Sequence, residues 1–499
     1  MTTKNRFNLI DEPWIPIVNV GKVSLKQIFS DPSYRALSGN PVQKIALTKL
    51  LLAIAQAAYT PKDDDDWAQL GSAGMANACL RYLEKWHDSF WLYGAKPFLQ
   101  TKELHFFKEQ PIGALMQEIA IGNNTILTNS QLSRSIADSE WALILLVDQN
   151  FSVKHNLAYG ALTVKDSKGK GKATKSGPAL GPSSYLHTFL QGDSVMQSIW
   201  FNLLSEEKID SLPFKYKRKD SNPVWELFID DRESKDAKIL KDSYMGRLCP
   251  MSRFIVRNEN TVRYAEGIMY PSHSEGGREI SAAYGLSKKN NFYALRVSTD
   301  VRPWRLLPAL LSFFNAASID SVDCAQLRLS LDGGRLRRCS DGFGVWSGGI
   351  LLEGDSYSQY AKGDNDFVES YVRLENYFFE DPSGWIIWLE QEIKELEGVS
   401  KKIKNACYFY HQREIKGSNQ RDNRADSIAK NAVSDFWQLC ERRFQDLVNA
   451  CTDPGKSKTL RATFANFAQK SYDIFCPKDT ARQLDAWAKN KPNLGNYLS

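Results

Sequence analysis

The spacing of apolar residues divides the chain into a mixed first part and a helical last part. Apolar positions three and four residues apart predict a buried helix from about Pro41 to Tyr59, and a second helix from about Met75 to Phe90. Between about 100 and 360, short apolar runs typical of strands alternate with connections rich in glycine, serine and lysine; the runs include WALILLV, RFIVR and FYALRVS. Several of these connections are long, and long loops inside a compact domain usually carry function.

After residue 362 the pattern becomes helical. The predicted helices lie near 367–379, 385–410, 429–451 and 460–475. The sequence therefore predicts an α+β protein with two domains. A large mixed α/β domain with long functional loops covers residues 1–362, and a helical bundle of the four-helix type covers residues 363–499.

Composition narrows the class of protein without naming a function. The chain has 499 residues, of which 42% are hydrophobic and 24% are charged, which is typical of a folded protein with more than one core. Its net charge of +6 is mildly basic. That charge permits a polyanionic partner without requiring one, so evidence for nucleic-acid binding has to come from local clusters.

Targeting and cysteine signals favour a cytoplasmic protein. No run of about 18 apolar residues is present, and the first residues lack the apolar core of a secretory signal. The eight cysteines are scattered without a CxxC pair, which predicts reduced thiols rather than disulfides or a zinc site. We expect no membrane association, no metal and no cofactor.

The candidates for enzymatic chemistry are weak. The GKGKATKSG stretch fails as a nucleotide-phosphate loop, because Thr174 stands where the pattern requires glycine. His87-Asp88 and the acids 63–66 leave open a metal-dependent DNA-acting hydrolase. Polar surface and an acidic helix start are more typical explanations of these residues. We predict that the protein is not an enzyme.

One cluster of basic residues forms a flexible, lysine-rich stretch that we call the lysine loop, residues 164–177. Glycine allows a backbone to approach a ligand closely and leaves its N–H groups free to face anions. Alone, such a stretch is equally consistent with a solvated surface loop. Its candidate DNA-binding residues are Lys168, Gly169, Lys170, Gly171, Lys172 and Lys175.

Two arginine clusters follow in the same region. In RFIVRNENTVR the arginines flank a predicted strand, and in GGRLRRCS they follow a glycine turn. An R-x-R alternation on a strand would put both guanidinium groups on one face, about 7 Å apart, which is near the spacing of successive phosphates. Together with the lysine loop, these clusters predict a nucleic-acid-binding surface. Their arginines are Arg253, Arg257, Arg263, Arg335, Arg337 and Arg338.

Three motifs carry a resemblance to a known family. FNLIDEPWIPI near the amino terminus, FWLYGAKPFLQ at 90–100 and DTARQLDAWA at 479–488 resemble the CasA family, the large subunit of the type I-E CRISPR surveillance complex Cascade. The opening motif is the most specific of the three. The resemblance extends patchily along the whole chain, and the predicted mixed domain followed by a bundle is similar to the family's architecture.

The resemblance implies a non-catalytic role in antiviral defence. Family members sit at the 5′ end of the guide RNA, recognise the protospacer-adjacent motif of double-stranded DNA and wedge the duplex open. The implied partners are the crRNA, target DNA, the backbone, guide 5′-handle-binding and small subunits of Cascade, and the type I helicase-nuclease that the bundle helps to recruit. A scaffold that binds guide RNA without DNA readout remains an alternative.

The resemblance also implies roles for individual residues. KSGPALGPSSYLHTFLQG (175–192) follows the family's glycine loop, which puts that loop at Gly169–Lys172. RLRRCS is similar to the wedge segment and assigns it to Arg335, Arg337 and Arg338.

Two further assignments complete this set. NNTILTNS is similar to the loop that meets the guide's 5′ handle, with Leu127 and Asn129 at its apolar and polar positions. EGIMYPSHS places Asn260 at the family's basic finger, so the finger is assigned to the neighbouring Arg253 or Arg257.

Overall fold

The computed structural model divides the chain into two compact units. One unit comprises Met1–Pro303 and Asp320–Tyr371, and the other comprises Trp304–Ile319 and Val372–Ser499. The structure describes residues 4–101, 104, 109–116, 135–154, 175–182, 184–212, 221–287, 292–314, 322–354, 359–360, 366–412, 422–451 and 453–498. The sequence pattern places a single boundary near residue 362, whereas the second unit also includes a segment that precedes that point.

Helices dominate both units. In chain order they are α1 (Leu25–Ser30), α2 (Pro41–Ala58), α3 (Asp64–Lys85), α4 (Asp138–Phe151), α5 (Val195–Asn202), α6 (Glu206–Asp210), α7 (Lys235–Lys241), α8 (Tyr244–Leu248), α9 (Leu307–Leu310), α10 (Ala325–Leu331), α11 (Pro382–His411), α12 (Asn423–Glu441), α13 (Phe444–Asn449), α14 (Pro454–Phe475), α15 (Ala481–Asn490) and α16 (Gly495–Leu498). The predicted helix at 41–59 is confirmed as α2, which begins at an Asn40 capping box with proline in its first turn.

The strands are short. They are β1 (Arg6–Asn8), β2 (Ile15–Ile17), β3 (Gly21–Val23), β4 (Trp91–Tyr93), β5 (Gln110–Pro111), β6 (His187–Gln191), β7 (Arg253–Asn258), β8 (Thr261–Glu266), β9 (Tyr284–Leu286), β10 (Phe292–Ala294), β11 (Val322–Asp323), β12 (Gly342–Ile350), β13 (Glu353–Gly354), β14 (Gln359–Tyr360) and β15 (Phe367–Glu375). Three-stranded sheets have the orders β5-β8-β7, β15-β12-β6 and β10-β9-β11, and two-stranded sheets pair β1 with β4, β2 with β3, and β13 with β14.

The core of the first unit forms around α2, α3 and α5. Trp14, Trp67 and Trp141 are completely buried there. The rings of Trp67 and Trp200 stack 4.2 Å apart. Each of these two indole N–H groups donates to the other residue's main-chain carbonyl. This reciprocal pair ties α3 to α5 and provides a rigid base for the arginine cluster at 335–338.

The second unit is helical where the sequence predicts a bundle. Helices α11, α12 and α14 pack on one another. A buried Glu392 in α11 accepts two hydrogen bonds from Arg461 in α14. The Ser471 hydroxyl of α14 donates to Asp435 in α12. The predicted α+β class and the helical carboxyl-terminal region are therefore confirmed.

Three local predictions are wrong. The run WALILLV belongs to helix α4 instead of a strand, and residues 367–375 form strand β15 instead of a helix. The RLRR segment is also not a strand, because Asp332–Arg338 forms a 3-10 turn. The expected alternation of Arg335 and Arg337 on one strand face is thus replaced by a turn.

Candidate nucleic-acid interface

The β7–β8 hairpin carries the first arginine cluster. β7 and β8 pair in antiparallel register, with Arg253 opposite Glu266 and Arg257 opposite Val262. The strand predicted at RFIVR is confirmed. The tight turn that joins the two strands holds Glu259 at a φ of 50°, a left-handed conformation that is uncommon for a residue with a side chain.

Arg253 lies beneath the surface. It is 2% exposed, and its guanidinium donates to the main-chain carbonyls of Ser252, Val153 and Lys175. Its own N–H donates to the Gln149 side chain. A buried guanidinium that is occupied by carbonyls cannot also bind a phosphate. This burial therefore counts against Arg253 as the DNA-contacting basic finger.

Arg257 is also occupied by the protein. Its guanidinium donates to the hydroxyl of Tyr93 at 2.7 Å, to the carbonyl of Ile136 at 3.1 Å and to the carbonyl of Glu259 at 2.7 Å. It lies 3.6 Å from the Asp138 carboxylate, and its side chain is 8% exposed. Arg257 thus fixes the residues that lead into α4.

Described residues on both sides of the predicted guide-handle loop contact one end of this hairpin. Leu127 and Asn129 lie outside the described residues. Before this loop in the chain, β5 pairs with β8. After it, the main-chain carbonyl of Ile136 accepts a hydrogen bond from Arg257. The chain that precedes residue 117 and the chain that follows residue 134 therefore both contact the β7–β8 hairpin.

Described residues on either side of segment 155–174, which contains most of the lysine loop, contact the opposite end of the same hairpin. Lys168, Gly169, Lys170, Gly171 and Lys172 lie outside the described residues. The flanking residues 152–154 and 175–177, which we call the stem, are described and lie side by side. Gly177 N–H donates to the Ser152 carbonyl at 2.8 Å.

The Lys175 ammonium already has a partner in the protein. It lies 2.8 Å from Glu275, and this hydrogen bond is the main reason that the pKa of Glu275 falls to about 2. Both side chains are exposed by more than a third, so solvent weakens the pair. Lys175 would have to leave Glu275 before it could bind a phosphate.

The arginine cluster at 335–338 forms a turn that we call the wedge turn, Asp332–Arg338. Gly333 and Gly334 adopt left-handed φ values of 70° and 62°, which glycine accommodates without strain. These two residues reverse the chain after α10. The reversal brings Arg335 inward and leaves the next two arginines outside.

Arg335 holds the wedge turn from below. It is 3% exposed and donates to the main-chain carbonyls of Ser330, Phe201 and Leu203. Its guanidinium lies 4.2 Å above the centre of the Trp67 ring. Burial lowers the pKa of Arg335 to about 10, so the side chain stays charged at neutral pH. Burial counts against Arg335 as a direct DNA contact.

The exposed members of the cluster are Arg337 and Arg338. The Arg338 side chain is 74% exposed, and its guanidinium lies 3.7 Å from a nearly fully exposed Asp65. Arg337 is exposed as well. The wedge turn therefore carries two exposed arginines that are consecutive in sequence, above the buried Arg335.

The residues proposed for metal chemistry have other roles. Asp63 caps α3, and Asp64–Asp66 form its acidic first turn, as the more ordinary interpretation predicts. The imidazole of His87 pairs with Asp11 at 2.7 Å, while Asp88 is almost fully exposed. Within the described ranges, no group of three or more metal-binding side chains comes together.

Sequence reasoning missed the residues that join these segments. Gln149, Glu266 and Gln359 are buried, and each bonds to an end of the lysine loop or to the hairpin beneath it. They come from three distant parts of the chain. Since their pairing arises from tertiary structure, no local pattern could have signalled it.

Over the part of the chain that is described, none of the helices combines the length and apolar character that a bilayer span requires.

Comparison with known proteins agrees with the architecture. The family model of the CRISPR-associated protein Cse1 matches residues 8–472. The CRISPR-associated protein CasA/Cse1 of Thermus thermophilus is 27% identical over 336 residues, which are 62% of this chain and 61% of that protein. The chain thus spans less than two thirds of the length of the curated relative that it matches.

Solved structures share the fold over nearly the full chain. A crystal structure of CasA from Thermus thermophilus has a TM-score of 0.74 at 19% identity, with 99% of both chains covered. Thermobifida fusca Cse1 has a TM-score of 0.75 at 16% identity, covering 99% of this chain and 98% of that one. A chain of a CRISPR RNA-guided surveillance complex has a TM-score of 0.70 at 13% identity, covering 99% and 100%. The family model and this common fold together show that the chain belongs to the Cse1 (CasA) family of CRISPR-associated proteins.

Proposed function

We propose that this chain is the non-catalytic large subunit of a crRNA-guided surveillance complex of the Cascade type. In this role it recognises the protospacer-adjacent motif in double-stranded DNA, wedges the duplex open and starts R-loop formation. Membership of the Cse1 family supports the subunit assignment. The likeness to a chain of a CRISPR RNA-guided surveillance complex supports crRNA and other Cascade subunits as partners.

The observation that carries the DNA-opening role is the wedge turn. Arg337 and Arg338 are exposed side by side, while Arg335 and the stacked tryptophans hold the turn from below. A rigid turn with an exposed guanidinium pair suits insertion at a narrow groove, where arginine is favoured by the enhanced negative potential. Separating the first base pairs costs about 1.4 kcal/mol per stacking step, which guide pairing then offsets.

The lysine loop supplies the second contact in this proposal. Its lysines and glycines face the minor groove and its phosphates, with Lys168, Lys170 and Lys172 carrying the charge. Because the minor groove distinguishes mainly A·T from G·C, such a sensor should accept several flanking motifs. Segment 117–134, with Leu127 and Asn129, meets the guide's 5′ handle. The helical unit helps to recruit the helicase-nuclease in the cytoplasm.

The test is binding of the guide-loaded complex, with and without this subunit, to duplexes that carry a randomised flanking motif. The proposal expects that the subunit creates a flank preference, and that Arg338→Ala or a substitution at Gly169 and Gly171 removes it. Arg482→Ala, at an exposed arginine of α15, is the matched control and should leave the preference intact. If flank sequence makes no difference with the wild-type subunit, the RNA-binding scaffold replaces the DNA sensor. Metal-dependent cleavage that His87→Ala abolishes would instead favour the hydrolase.

A further inference from the structure

A single buried arginine joins the residues on either side of segment 155–174, which contains most of the lysine loop. One nitrogen of Arg253, Nη2, donates to the carbonyl of Val153 at 3.3 Å and to the carbonyl of Lys175 at 2.7 Å. Val153 precedes the segment 155–174 and Lys175 follows it. The Arg253 guanidinium therefore bridges the described residues on the two sides of this segment.

The residue opposite Arg253 in the hairpin holds the same point. Glu266, which is 3% exposed, accepts the Lys175 N–H at 2.7 Å. The cross-strand pair of Arg253 and Glu266 thus binds both main-chain polar groups of Lys175. The backbone of Lys175 is fixed on both sides, although its ammonium faces Glu275.

Gln359 forms a second bridge across the stem. Its side-chain oxygen accepts from the Lys154 N–H at 3.1 Å and from the Ser176 hydroxyl at 2.7 Å. Its own main-chain N–H donates to the Lys154 carbonyl at 2.9 Å. Two side chains from distant parts of the chain therefore span the same pair of backbone segments. Such duplication fits a need to keep the two segments together.

We propose that Arg253 is a positioning residue that holds the two segments of the stem together and so supports duplex binding by the lysine loop, without touching the DNA itself. This inference rests on the proposed function for its DNA-binding part. Arginine suits the task because its planar fork can serve several carbonyls at once, whereas a lysine ammonium lacks that geometry. The stem closure itself is a property of the free chain and can be tested separately.

The first experiment measures amide hydrogen exchange in the free full-length chain. In Arg253→Met, the amides of Lys154, Lys175 and Gly177 should exchange about ten- to a hundredfold faster, as expected when a charged hydrogen bond in the stem is lost. Arg335→Met is the matched control, because Arg335 is equally buried and carbonyl-bound but holds the wedge turn. It should speed exchange around 332–340 and leave the stem unchanged.

The outcomes of this experiment are distinct. Stem exchange that stays at the wild-type rate in Arg253→Met overturns the inference, as does equal acceleration in Arg335→Met. If Arg253→Met does not fold, Arg253→Lys keeps a buried positive charge but lacks the fork that serves both carbonyls, so the same stem amides should exchange faster in it. Stem exchange at the wild-type rate in Arg253→Lys contradicts the inference.

The second experiment is a double-mutant cycle on duplex binding by the guide-loaded complex. Arg253→Met should weaken binding by about threefold or more when the loop is wild type, and should have no further effect once Lys170→Ala and Lys172→Ala are present. Arg253→Lys should weaken binding as much as Arg253→Met. If Arg253→Met still weakens duplex binding when the loop lysines are absent, the effect reflects general destabilisation. If Arg253→Lys binds the duplex as the wild type does, Arg253 makes a direct charge contact. Either result overturns the positioning role.

The two experiments also separate this inference from the proposed function. If the lysine substitutions alone leave duplex binding unchanged, the DNA-sensing assignment of the loop fails while the exchange result still decides the stem closure. If the lysine substitutions weaken binding and Arg253→Met does not, the positioning role fails while the proposed function stands.

Discussion

The carboxyl group of Asp148 lies buried near the end of α4 and should impose a measurable pH dependence on stability. Its Oδ2 atom finds no hydrogen-bond partner among the described residues. Burial raises the pKa of Asp148 to about 7, against an opposing effect from the positive charge of Arg253. The carbonyl end of a helix also disfavours a negative charge. Replacing this residue by asparagine removes the ionisation and keeps the shape.

The magnitude follows from the change in pKa. The value rises from 3.8 to about 7, and each pH unit corresponds to about 1.36 kcal/mol, which gives a cost of about 4 kcal/mol for the ionised form in the folded state. A pKa that is higher in the folded state means that folding favours proton uptake. The contribution to stability is therefore complete below pH 4 and is lost as the pH rises through about 7. The stability of Asp148→Asn should not fall in this way, because asparagine does not ionise.

The assay is urea-induced unfolding of both proteins between pH 4.5 and pH 8, with the free energy of unfolding compared at each pH. Direct comparison is needed because His187 acts in the opposite direction: burial lowers its pKa to about 4, so its contribution is lost as the pH falls. That contribution cancels in the difference between the two proteins. As the pH rises, the free energy of unfolding of the variant should increase relative to that of the wild type by up to about 4 kcal/mol. A difference that does not change with pH, or a variant that is less stable at pH 8, would refute the argument.

Three other predictions concern the lysine loop and its stem. Lys170→Ala combined with Lys172→Ala should flatten the log–log salt dependence of duplex binding by roughly two, and a slope equal to that of the wild type would remove the loop from the DNA surface. Glu275→Gln, which frees the neighbouring lysine, should steepen that slope by up to about 0.9 in the same titration; an unchanged slope would place this lysine away from DNA. Gly177→Ala should destabilise the protein by about 2 kcal/mol in thermal unfolding, since an added Cβ would come 2.3 Å from a main-chain oxygen. Gly398→Ala, which meets open space, is its control, and equal melting of the two variants would contradict the clash.

Hydrophobic spacing predicted the long helices, and it failed where a short apolar run is compatible with either a helix or a strand. In α11 and α12 the apolar stripe continues over many turns, so the period of 3.6 is clear. WALILLV is apolar on all sides because α4 is buried almost throughout, and a buried helix of that kind has no visible period. In β15 the buried Val368, Val372 and Leu374 are spaced by two and four, a strand alternation that was available in the sequence.

The candidate site was predicted in part. The charge pattern located the hairpin and the wedge turn, but it could not distinguish an exposed arginine from a buried one. Arg338 and Arg335 are three residues apart in the same cluster, yet one is solvated and the other lies against Trp67. The difference depends on two left-handed glycines and on carbonyls from α5 and the residues that follow it. Those carbonyls are distant in sequence, so only the folded structure reveals them.

The buried arginines Arg253, Arg257 and Arg335 and the lysines of the lysine loop have different roles, and the reason is chemical. Loop ends leave main-chain carbonyls without partners in the fold, and a guanidinium with five N–H donors can satisfy several of them from one buried position. Arg253, Arg257 and Arg335 each bond to two or more such carbonyls. An ammonium group is more strongly hydrated and remains better suited to a solvated loop that faces phosphates. Substitution of the loop lysines should therefore change DNA affinity through charge, and hence through its salt dependence. Substitution of Arg253 should change affinity through geometry, and that effect should disappear once the lysine loop has lost its lysines.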